Sequence, residues 1–247
     1  MLRPLALSLA LAAGPAAAFD IDAMTEAERE SFGAEVRDYL LENPQVLIEA
    51  LGVLEQREQQ AQAAAGADMI ASNSAAIFED GVSYVGGNPE GDLTVVEFLD
   101  YRCGYCKRAF GEVEELLASD GNIRFIIKEF PILGEQSMLA SRFAIAVRRA
   151  AGDEAYKAVH DEMMLTSSDI TPDYLADLGE DQGLDWDEIQ SGMEAPQVTE
   201  EIAANRALGQ TLEINGTPSF IFGNEMVRGY VPLDVMRDIA EGQREEG

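Results

Sequence analysis

Residues 95–110 read VVEFLDYRCGYCKRAF and hold both cysteines of this 247-residue chain, Cys103 and Cys106. The apolar run before the cysteines predicts a buried strand, and the segment after them, KRAFGEVEELLAS, has apolar side chains at helical spacing. A second apolar run, IRFIIKEF, predicts another strand. Residues 93–130 therefore predict a β-α-β unit in which the cysteines lie where the first strand passes into the helix.

Two cysteines separated by two residues can brace a fold, bind a metal ion or react. A disulfide across so short a loop removes little entropy from the unfolded chain, which makes it a poor brace. A tetrahedral metal site needs further ligands, and the chain has no third cysteine and only one histidine. Reaction fits the pattern best, so we predict no metal site and no cofactor.

The position of the pair predicts a different role for each thiol. Cys103 stands at the start of the predicted helix, where free N–H groups and the helix dipole favour a thiolate. Lys107 and Arg108 follow at once and are expected to add positive potential. We predict that Cys103 is an accessible nucleophile with a low pKa, and that Cys106 is the more buried resolving thiol.

The N-terminal sequence MLRPLALSLALAAGPAAAFD combines one arginine, an apolar run and a small-residue site. It predicts a signal peptide over residues 1–18, cleaved after Ala18. We therefore expect an exported, soluble protein of the bacterial periplasm, which is an oxidising compartment.

The chain is strongly acidic, with 46 acidic and 17 basic residues and a formal net charge of −29. This charge argues against nucleic acid and anionic membrane surfaces as partners. A well-solvated surface explains it most simply, and attraction of basic client proteins is the alternative.

Residues 19–80 predict a helical arm that precedes the first strong strand signal. Leu47, Leu51 and Leu54 step by four and three residues, as on the contact stripe of a coiled coil. Asn43 is expected to cap this second helix at its N-terminus. The arm either folds back on the main domain or mediates oligomerisation, and periodicity alone decides neither.

The rest of the chain changes pattern twice. Residues 81–133 contain the β-α-β unit, residues 134–212 carry successive helical patterns without a strand signal, and residues 213–247 restore a β-hairpin and a helix. We predict an α/β fold with an inserted helical domain and an N-terminal helical arm.

Three ionisable residues stand at apolar positions. Glu97 lies on the strand before the cysteines, where an acid is costly unless it has a partner or a task. Lys128 on the next strand is either its partner or an ordinary sheet lysine. His160 follows the helical apolar stripe of the insertion, and we interpret it as a packed core residue.

A second landmark is INGTPSFIFG, in which Thr217 and Pro218 open a strand. Proline is tolerated at the first residue of a strand. The sequence itself does not show whether the Thr217–Pro218 bond is cis.

Taken together, VVEFLDYRCGYC, FIIKEFPILG and GTPSFIFG resemble the DsbA-like branch of the thioredoxin superfamily, over roughly residues 80–245. Within this branch the chain looks most like exported proteins of the suppressor-of-copper-sensitivity C type, which carry an N-terminal helical arm. The resemblance implies a thioredoxin fold and a cis Pro218, preceded by Thr217, that faces the CxxC and contacts clients. It also implies a proton-relay role for Glu97.

This sequence departs from DsbA itself at two places. Gly104 and Tyr105 stand between the cysteines where DsbA has Pro-His, and Thr217 stands where DsbA has Val. Tyr105 cannot be cationic, so we expect a less oxidising pair. Both features resemble periplasmic disulfide isomerases, in which an N-terminal segment assembles the oligomer.

The predicted function is therefore that of an exported protein-disulfide isomerase or reductase. Its expected partners are exported clients with thiols or disulfides, a membrane redox partner and further copies of the chain, as a trimer in preference to a dimer. The alternatives are a DsbA-like oxidase that donates disulfides, and a client-binding chaperone or copper-handling protein in which the CxxC is secondary.

Overall fold

The structure, a computed structural model, describes residues 23–246, and the predicted signal peptide lies outside the described residues. The helices are α1 (Glu26–Glu42), α2 (Gln45–Ser72), α3 (Ser74–Phe78), α4 (Gly104–Asp120), α5 (Glu135–Ala151), α6 (Asp153–Leu165), α7 (Pro172–Asp181), α8 (Trp186–Met193), α9 (Pro196–Thr211) and α10 (Leu233–Glu246). The strands are β1 (Tyr84–Gly87), β2 (Leu93–Leu99), β3 (Ile123–Glu129), β4 (Ser219–Phe222) and β5 (Glu225–Arg228). The β-α-β unit predicted around the cysteines is confirmed as β2, α4 and β3.

The strands form one sheet in the order β1-β3-β2-β4-β5. β2 and β3 are parallel, as their connection through a helix requires, whereas β1–β3, β2–β4 and β4–β5 are antiparallel. Helices α5 to α9 occupy the chain between β3 and β4, so the predicted α/β fold with a helical insertion is confirmed. The strand that leads to the cysteines is central, and β4 lies beside it.

Because side chains alternate along a strand, the sheet has two packed faces. The face that carries the cysteines and α4 includes Val95, Leu99, Phe125 and Ile127. The opposite face is covered by the end of α2 and by α3, and includes Val96, Phe98, Ile126, Ile70 and Ile77. The register pairs Glu97 with Ile127 and Phe98 with Lys128, which places Glu97 on the cysteine face and Lys128 on the other.

Lys128 is therefore not the partner of Glu97. Its side chain is fully buried, and its ammonium nitrogen lies 2.6 Å from Oδ2 of Asp80. It also donates a hydrogen bond to the carbonyl oxygen of Ala76 at 2.9 Å. Nor is Lys128 an ordinary sheet lysine, because this buried ion pair fastens α3 and the turn after it to the sheet.

A buried carboxyl joins the insertion to the sheet. Glu129 accepts hydrogen bonds from the hydroxyls of Tyr101 at 2.8 Å, Tyr156 at 2.7 Å and Ser141 at 2.7 Å. Burial raises its pKa to about 7, and the three donors oppose that shift. His160 lies 3.0 Å from the Tyr101 hydroxyl and is 3% exposed, so the prediction of a packed core histidine is confirmed.

The described chain divides into two compact units after Glu58. Residues 23–58 form the first unit, in which Thr25 and Glu28 make a reciprocal cap at the start of α1. Asn43 closes the end of α1, so the prediction that it caps the next helix is wrong. Large apolar side chains of this unit are exposed, among them Leu51 at 56% and Leu54 at 51%.

Candidate active site

Cys103 is the N-cap residue of α4, and its backbone is extended there. Its N–H donates to the carbonyl oxygen of Asp100 at 3.0 Å, and its sulfur accepts from the N–H of Cys106 at 3.5 Å. The sulfur is thus aimed at the free N–H groups of the first helical turn. Cys103 is only 6% exposed, less accessible than the sequence suggests, and both cysteines are reduced.

The Thr217–Pro218 segment lies beside the cysteine pair, because the strands next to the two segments are neighbours in the sheet. β4 pairs with β2, with Glu97 opposite Phe220 and Phe98 opposite Ser219, so the residues that precede β4 are carried to the cysteines. The Thr217–Pro218 bond is cis, as the resemblance implies. When it is protonated, the thiol of Cys103 donates to the carbonyl oxygen of Thr217 at 3.0 Å.

The environment of Cys103 favours its thiolate. A hydrogen bond from the Cys106 thiol lowers the pKa of Cys103 most, followed by the Thr217 side chain and the N–H groups of Cys106 and Tyr105. Burial opposes these contacts, and the resulting pKa is about 5. The buried hydroxyl of Thr217 has no hydrogen-bond partner of normal geometry in the described chain, so it is available to donate to a thiolate.

The two cations that follow the cysteines do not point at the thiolate. The ammonium group of Lys107 donates to the carbonyl oxygen of Met163 at 3.0 Å and to that of Thr166. The guanidinium of Arg108 lies over the ring of Tyr230, 4.4 Å from its centroid. Their predicted role is therefore corrected, because hydrogen bonds from α4 and Thr217 stabilise the thiolate instead.

Cys106 lies completely buried behind Cys103. Burial raises its pKa well above the ordinary value, and the neighbouring Cys103 and Glu97 raise it further. At neutral pH the two thiols thus differ in protonation, since Cys103 is ionised and Cys106 is not. This difference matches the predicted division into an attacking and a resolving thiol.

Glu97 is buried, 3% exposed, on the cysteine face of β2. Its Oε1 atom has no hydrogen-bond partner within residues 23–246. Burial raises its pKa to about 8, with smaller contributions from the charges of Cys103 and Glu114. Because it is coupled to both cysteines and carries a proton near neutral pH, Glu97 has the properties of a proton donor and acceptor for the pair.

We expect Glu97→Gln to remove one pH-dependent contribution to stability. The pKa of Glu97 is higher in the folded protein than in the unfolded chain. Its protonated carboxyl therefore contributes stability that is fully present below pH 4.5 and is lost as the pH rises through about 8. At pH 8.5 the reduced variant should therefore be more stable than the reduced wild type by roughly 2–4 kcal/mol, and near pH 4.5 this difference should vanish.

Urea unfolding of both proteins at pH 4.5 and 8.5 measures this difference. The exposed Glu115→Gln serves as the matched control and should show no pH-dependent effect. If Glu97→Gln shifts stability equally at both pH values, the carboxyl is not held protonated by burial.

Two contributors to the site were missed in the sequence. The carboxylate of Asp100 accepts from the N–H groups of Arg102, Ile132 and Leu133 at 2.8–3.0 Å, which fixes the turn into the CxxC. A polar residue at the end of a buried strand was the available signal. Tyr230 was the second, and nothing local in the sequence indicates it.

Tyr230 is brought to the site by the loop after β5. The N–H of Gly229 donates to the carbonyl oxygen of Pro218 at 3.0 Å, and Gly229 has a positive φ of 93° that favours glycine. The Tyr230 ring lies 6.2 Å from the ring of Tyr105, which is 61% exposed between the cysteines beside an exposed Gly104. The CxxC is thus bordered by two aromatic rings.

The described residues contain neither a candidate metal cluster nor a candidate membrane span. No three His, Cys, Asp or Glu side chains of residues 23–246 are grouped so that they could hold a metal ion. In the same residues, no helix is both long and apolar enough to cross a membrane.

A low-pKa cysteine that caps a helix and faces a cis-proline at the start of a neighbouring strand defines the class of thioredoxin-fold redox proteins. The family model described as the DSBA-like thioredoxin domain matches residues 94–240, more than half of the chain. The chain belongs to this family of DsbA-like thioredoxin proteins. A second model, the copper resistance protein ScsC N-terminal domain, matches residues 28–61.

Solved structures show the same relationship. A thioredoxin-like oxidoreductase from Silicibacter pomeroyi is 42% identical with a TM-score of 0.66, over 69% of this chain and 97% of that one. Proteus mirabilis ScsC in a transitional conformation is 26% identical with a TM-score of 0.66, over 92% and 100%. A periplasmic thioredoxin-like protein from Salmonella enterica is 28% identical with a TM-score of 0.61, over 69% and 94%.

Curated relatives are more distant. The Na(+)/H(+) antiporter NhaA 1 of Salinispora arenicola is 27% identical over 154 residues, which are 62% of this chain and 23% of that protein. The chain therefore spans about a quarter of the length of this relative. Disulfide bond formation protein D of Bacillus subtilis is 21% identical over 165 residues, 63% of this chain and 74% of that protein.

Proposed function

We propose that the protein is an exported thiol–disulfide oxidoreductase of protein disulfides, and that it acts mainly as an isomerase or reductase. The observation that carries the proposal is the position of the Cys103 sulfur at the start of α4, beside the carbonyl oxygen of Thr217, where hydrogen bonds lower the pKa of its thiol to about 5. The DsbA-like family of the chain supports the same chemistry.

The mechanism follows from the two different thiols. The Cys103 thiolate attacks one sulfur of a client disulfide, the client S–S bond breaks, and the other client sulfur leaves as a thiolate that takes up a proton. In isomerisation a client thiolate then attacks the mixed disulfide and restores reduced Cys103. In reduction Cys106 attacks it after losing its proton, two electrons pass to the client, and the enzyme is left as its disulfide.

We assign Glu97 as the acceptor of the Cys106 proton. Formation of the mixed disulfide removes the Cys103 charge, which is one cause of the raised pKa of Glu97, so the carboxyl can release its own proton and then take up that of Cys106. The thiol of Cys106 is completely buried, and the Oε1 atom of Glu97 lacks a hydrogen-bond partner in the described chain. The charge of Glu97 raises the pKa of Cys106, which ties the two titrations together. Arrival of the proton on Glu97 neutralises the carboxylate that otherwise opposes formation of the Cys106 thiolate.

The direction of exchange depends on the residues between and opposite the cysteines. Gly104, Tyr105 and Thr217 favour an isomerase or reductase, as the sequence resemblance implies. The second candidate, an oxidase, is favoured by the Cys103 pKa of about 5, because stabilising the thiolate stabilises the reduced enzyme and makes its disulfide more oxidising.

Export to the periplasm and a membrane redox partner are parts of the proposal. The leader pattern of residues 1–18 supports export, and one solved relative is described as periplasmic. An isomerase must be kept reduced in an oxidising compartment, which requires a source of electrons such as a membrane protein.

We further propose that the arm assembles several copies of the chain, with a trimer favoured over a dimer. The leucines of its heptad-like stripe are exposed, Leu47 at 49%, Leu51 at 56% and Leu54 at 51%. Exposed apolar stripes of this kind mark interaction surfaces. The ScsC N-terminal model matches the same segment, residues 28–61.

One experiment tests both the direction of exchange and the assembly. Full-length protein is expected to have the mass of an oligomer by light scattering and to refold scrambled ribonuclease. The double variant Leu47→Asp with Leu54→Asp should become a monomer and lose refolding activity by at least about tenfold, because isomerisation is expected to need neighbouring active sites on one client. Its reduction of small disulfides should persist, since both leucines lie outside the unit that holds the cysteines.

The matched control, Gln56→Asp with Gln60→Asp, adds the same charge to the same helix away from the stripe. It should retain both the oligomer and the refolding activity. A wild-type monomer without activity on scrambled ribonuclease would overturn the isomerase and leave the oxidase.

A further inference from the structure

The residues on either side of the CxxC hold the same loop of the helical insertion. This loop, residues 166–171, connects α6 to α7. Lys107 donates from its ammonium group to the carbonyl oxygens of Met163 and Thr166. Arg102 donates from Nη1 to the carbonyl oxygen of Ser168 at 3.3 Å, and its Nη2 lies 3.3 Å from Oδ1 of Asp169.

Lys107 supplies hydrogen-bond donors to carbonyl groups at the C-terminal end of α6. The last carbonyl groups of a helix lack partners within the helix, and a cation near them is favourable. The last turn of α6 contains no basic residue, so Lys107 supplies both the donor and the charge from α4. Burial lowers the pKa of Lys107 most. The charge of Arg102 lowers it further, because the two cations repel each other. The loop carbonyls therefore hold two cations close together.

This loop positions an exposed apolar side chain. Leu165, the last residue of α6, is 69% exposed and lies between the two carbonyls that Lys107 binds. At the other end of the loop, Ile170 is buried and its N–H donates to Oε1 of Gln136 at 3.3 Å. Because both ends of the loop are anchored, the neighbouring Leu165 has a defined place relative to the CxxC.

A second exposed leucine is held in a similar way. Leu133 is 53% exposed, and its N–H donates to Oδ2 of Asp100, three residues before Cys103. Leu165 at the end of α6 and Leu133 after β3 thus both lie beside backbone groups that are hydrogen-bonded to the segment 100–107. Cys103 itself is only 6% exposed, so a client sulfur reaches it only when the client chain lies close against the surface around the CxxC.

We propose that Arg102 and Lys107 are positioning residues that hold Leu165 at the edge of the Cys103 site, where it contacts an apolar side chain next to the cysteine of an extended client segment. The proposal rests on the proposed function of disulfide exchange. Leu165 contributes affinity for client segments that have apolar residues beside their cysteines, as unfolded proteins expose, and the two cations keep it in place.

The test compares the reduction of three disulfide substrates by the full-length protein and by Lys107→Met, with excess dithiothreitol as the dithiol that returns the enzyme to its reduced form after each turnover. One peptide disulfide has apolar residues beside each cysteine, a second has serines there, and the third substrate is oxidised glutathione. We expect KM for the apolar peptide to rise about tenfold in Lys107→Met, with kcat nearly constant, since each tenfold corresponds to about 1.4 kcal/mol of binding. Lys107→Arg should restore most of the affinity.

Leu165→Ser provides an independent variant, because the side chain is 69% exposed and its replacement should leave the core packing intact. It should show the same selective rise in KM as Lys107→Met. Lys157→Met is the matched control, because it removes the same charge from α6 without a bond to the loop, and its KM values should stay at wild-type level. Thermal unfolding of every variant separates loss of fold from loss of affinity.

The pH dependence of Cys103 alkylation separates positioning from a direct electrostatic effect. In Lys107→Met its midpoint should stay where it is in the wild type. A raised midpoint with equal slowing of all three substrates would overturn the proposal, as would unchanged KM values in both Lys107→Met and Leu165→Ser. If the wild type exchanged none of the three disulfides, the proposed function itself would fail.

Discussion

Cys103→Ser is expected to abolish disulfide exchange, with a loss of at least about a thousandfold in the reduction of a client disulfide. A serine hydroxyl is protonated at neutral pH and cannot displace a sulfur from a disulfide. Cys106 cannot take over, because it is completely buried and burial raises its pKa far above neutrality. Insulin reduction followed by turbidity measures this loss.

Cys106→Ser should behave differently and thereby identifies the order of attack. Cys103 still forms the mixed disulfide, but the chain has no second thiol to resolve it. Covalent complexes with clients should accumulate on non-reducing gels in Cys106→Ser and be absent in Cys103→Ser. The reverse pattern would show that Cys106 is the nucleophile.

A large loss of stability is expected for Asp80→Ala. The ammonium group of Lys128 is fully buried and lies 2.6 Å from the Asp80 carboxylate, whose pKa is about 2. Within residues 23–246, removing the carboxylate leaves the buried ammonium group with the carbonyl of Ala76 as its one remaining hydrogen-bond partner, which costs roughly 3–5 kcal/mol. Urea unfolding at neutral pH measures this cost.

Two further variants test the cause of that loss. Asp80→Ala combined with Lys128→Met should recover much of the stability, because the double variant no longer buries a charge. Glu115→Ala, which breaks the exposed pair with Arg237, should cost less than about 1 kcal/mol. Equal losses in Asp80→Ala and Glu115→Ala would show that the Lys128 pair is not buried in solution.

The sequence predicted the elements that local patterns determine. Apolar runs and helical spacing were sufficient for β2, α4 and β3, and the position of the cysteines between strand and helix indicated their chemistry. The inserted helices were also recognisable from the successive helical patterns of residues 134–212, and in the structure the side chains of Thr171 and Asp185 cap the starts of α7 and α8.

The contacts of charged side chains were not predictable in this way. Lys107 and Arg108 stand next to the cysteines in the chain, yet their partners are the end of α6 and the ring of Tyr230. Likewise Lys128 faces away from Glu97, because neighbouring parallel strands put these positions on opposite faces. Such contacts depend on how distant elements meet, which a local pattern does not contain.

The measurement that tests the central claim most directly is the rate of alkylation of each cysteine as a function of pH. Reduced protein is pulsed with iodoacetamide between pH 3 and 9, and mass spectrometry of the digested protein assigns the label. Cys103 should be labelled with a midpoint near pH 5, while Cys106 stays unlabelled throughout. A midpoint near the ordinary cysteine pKa of about 8.5, or equal labelling of the two, would contradict the assignment of Cys103 as the activated nucleophile.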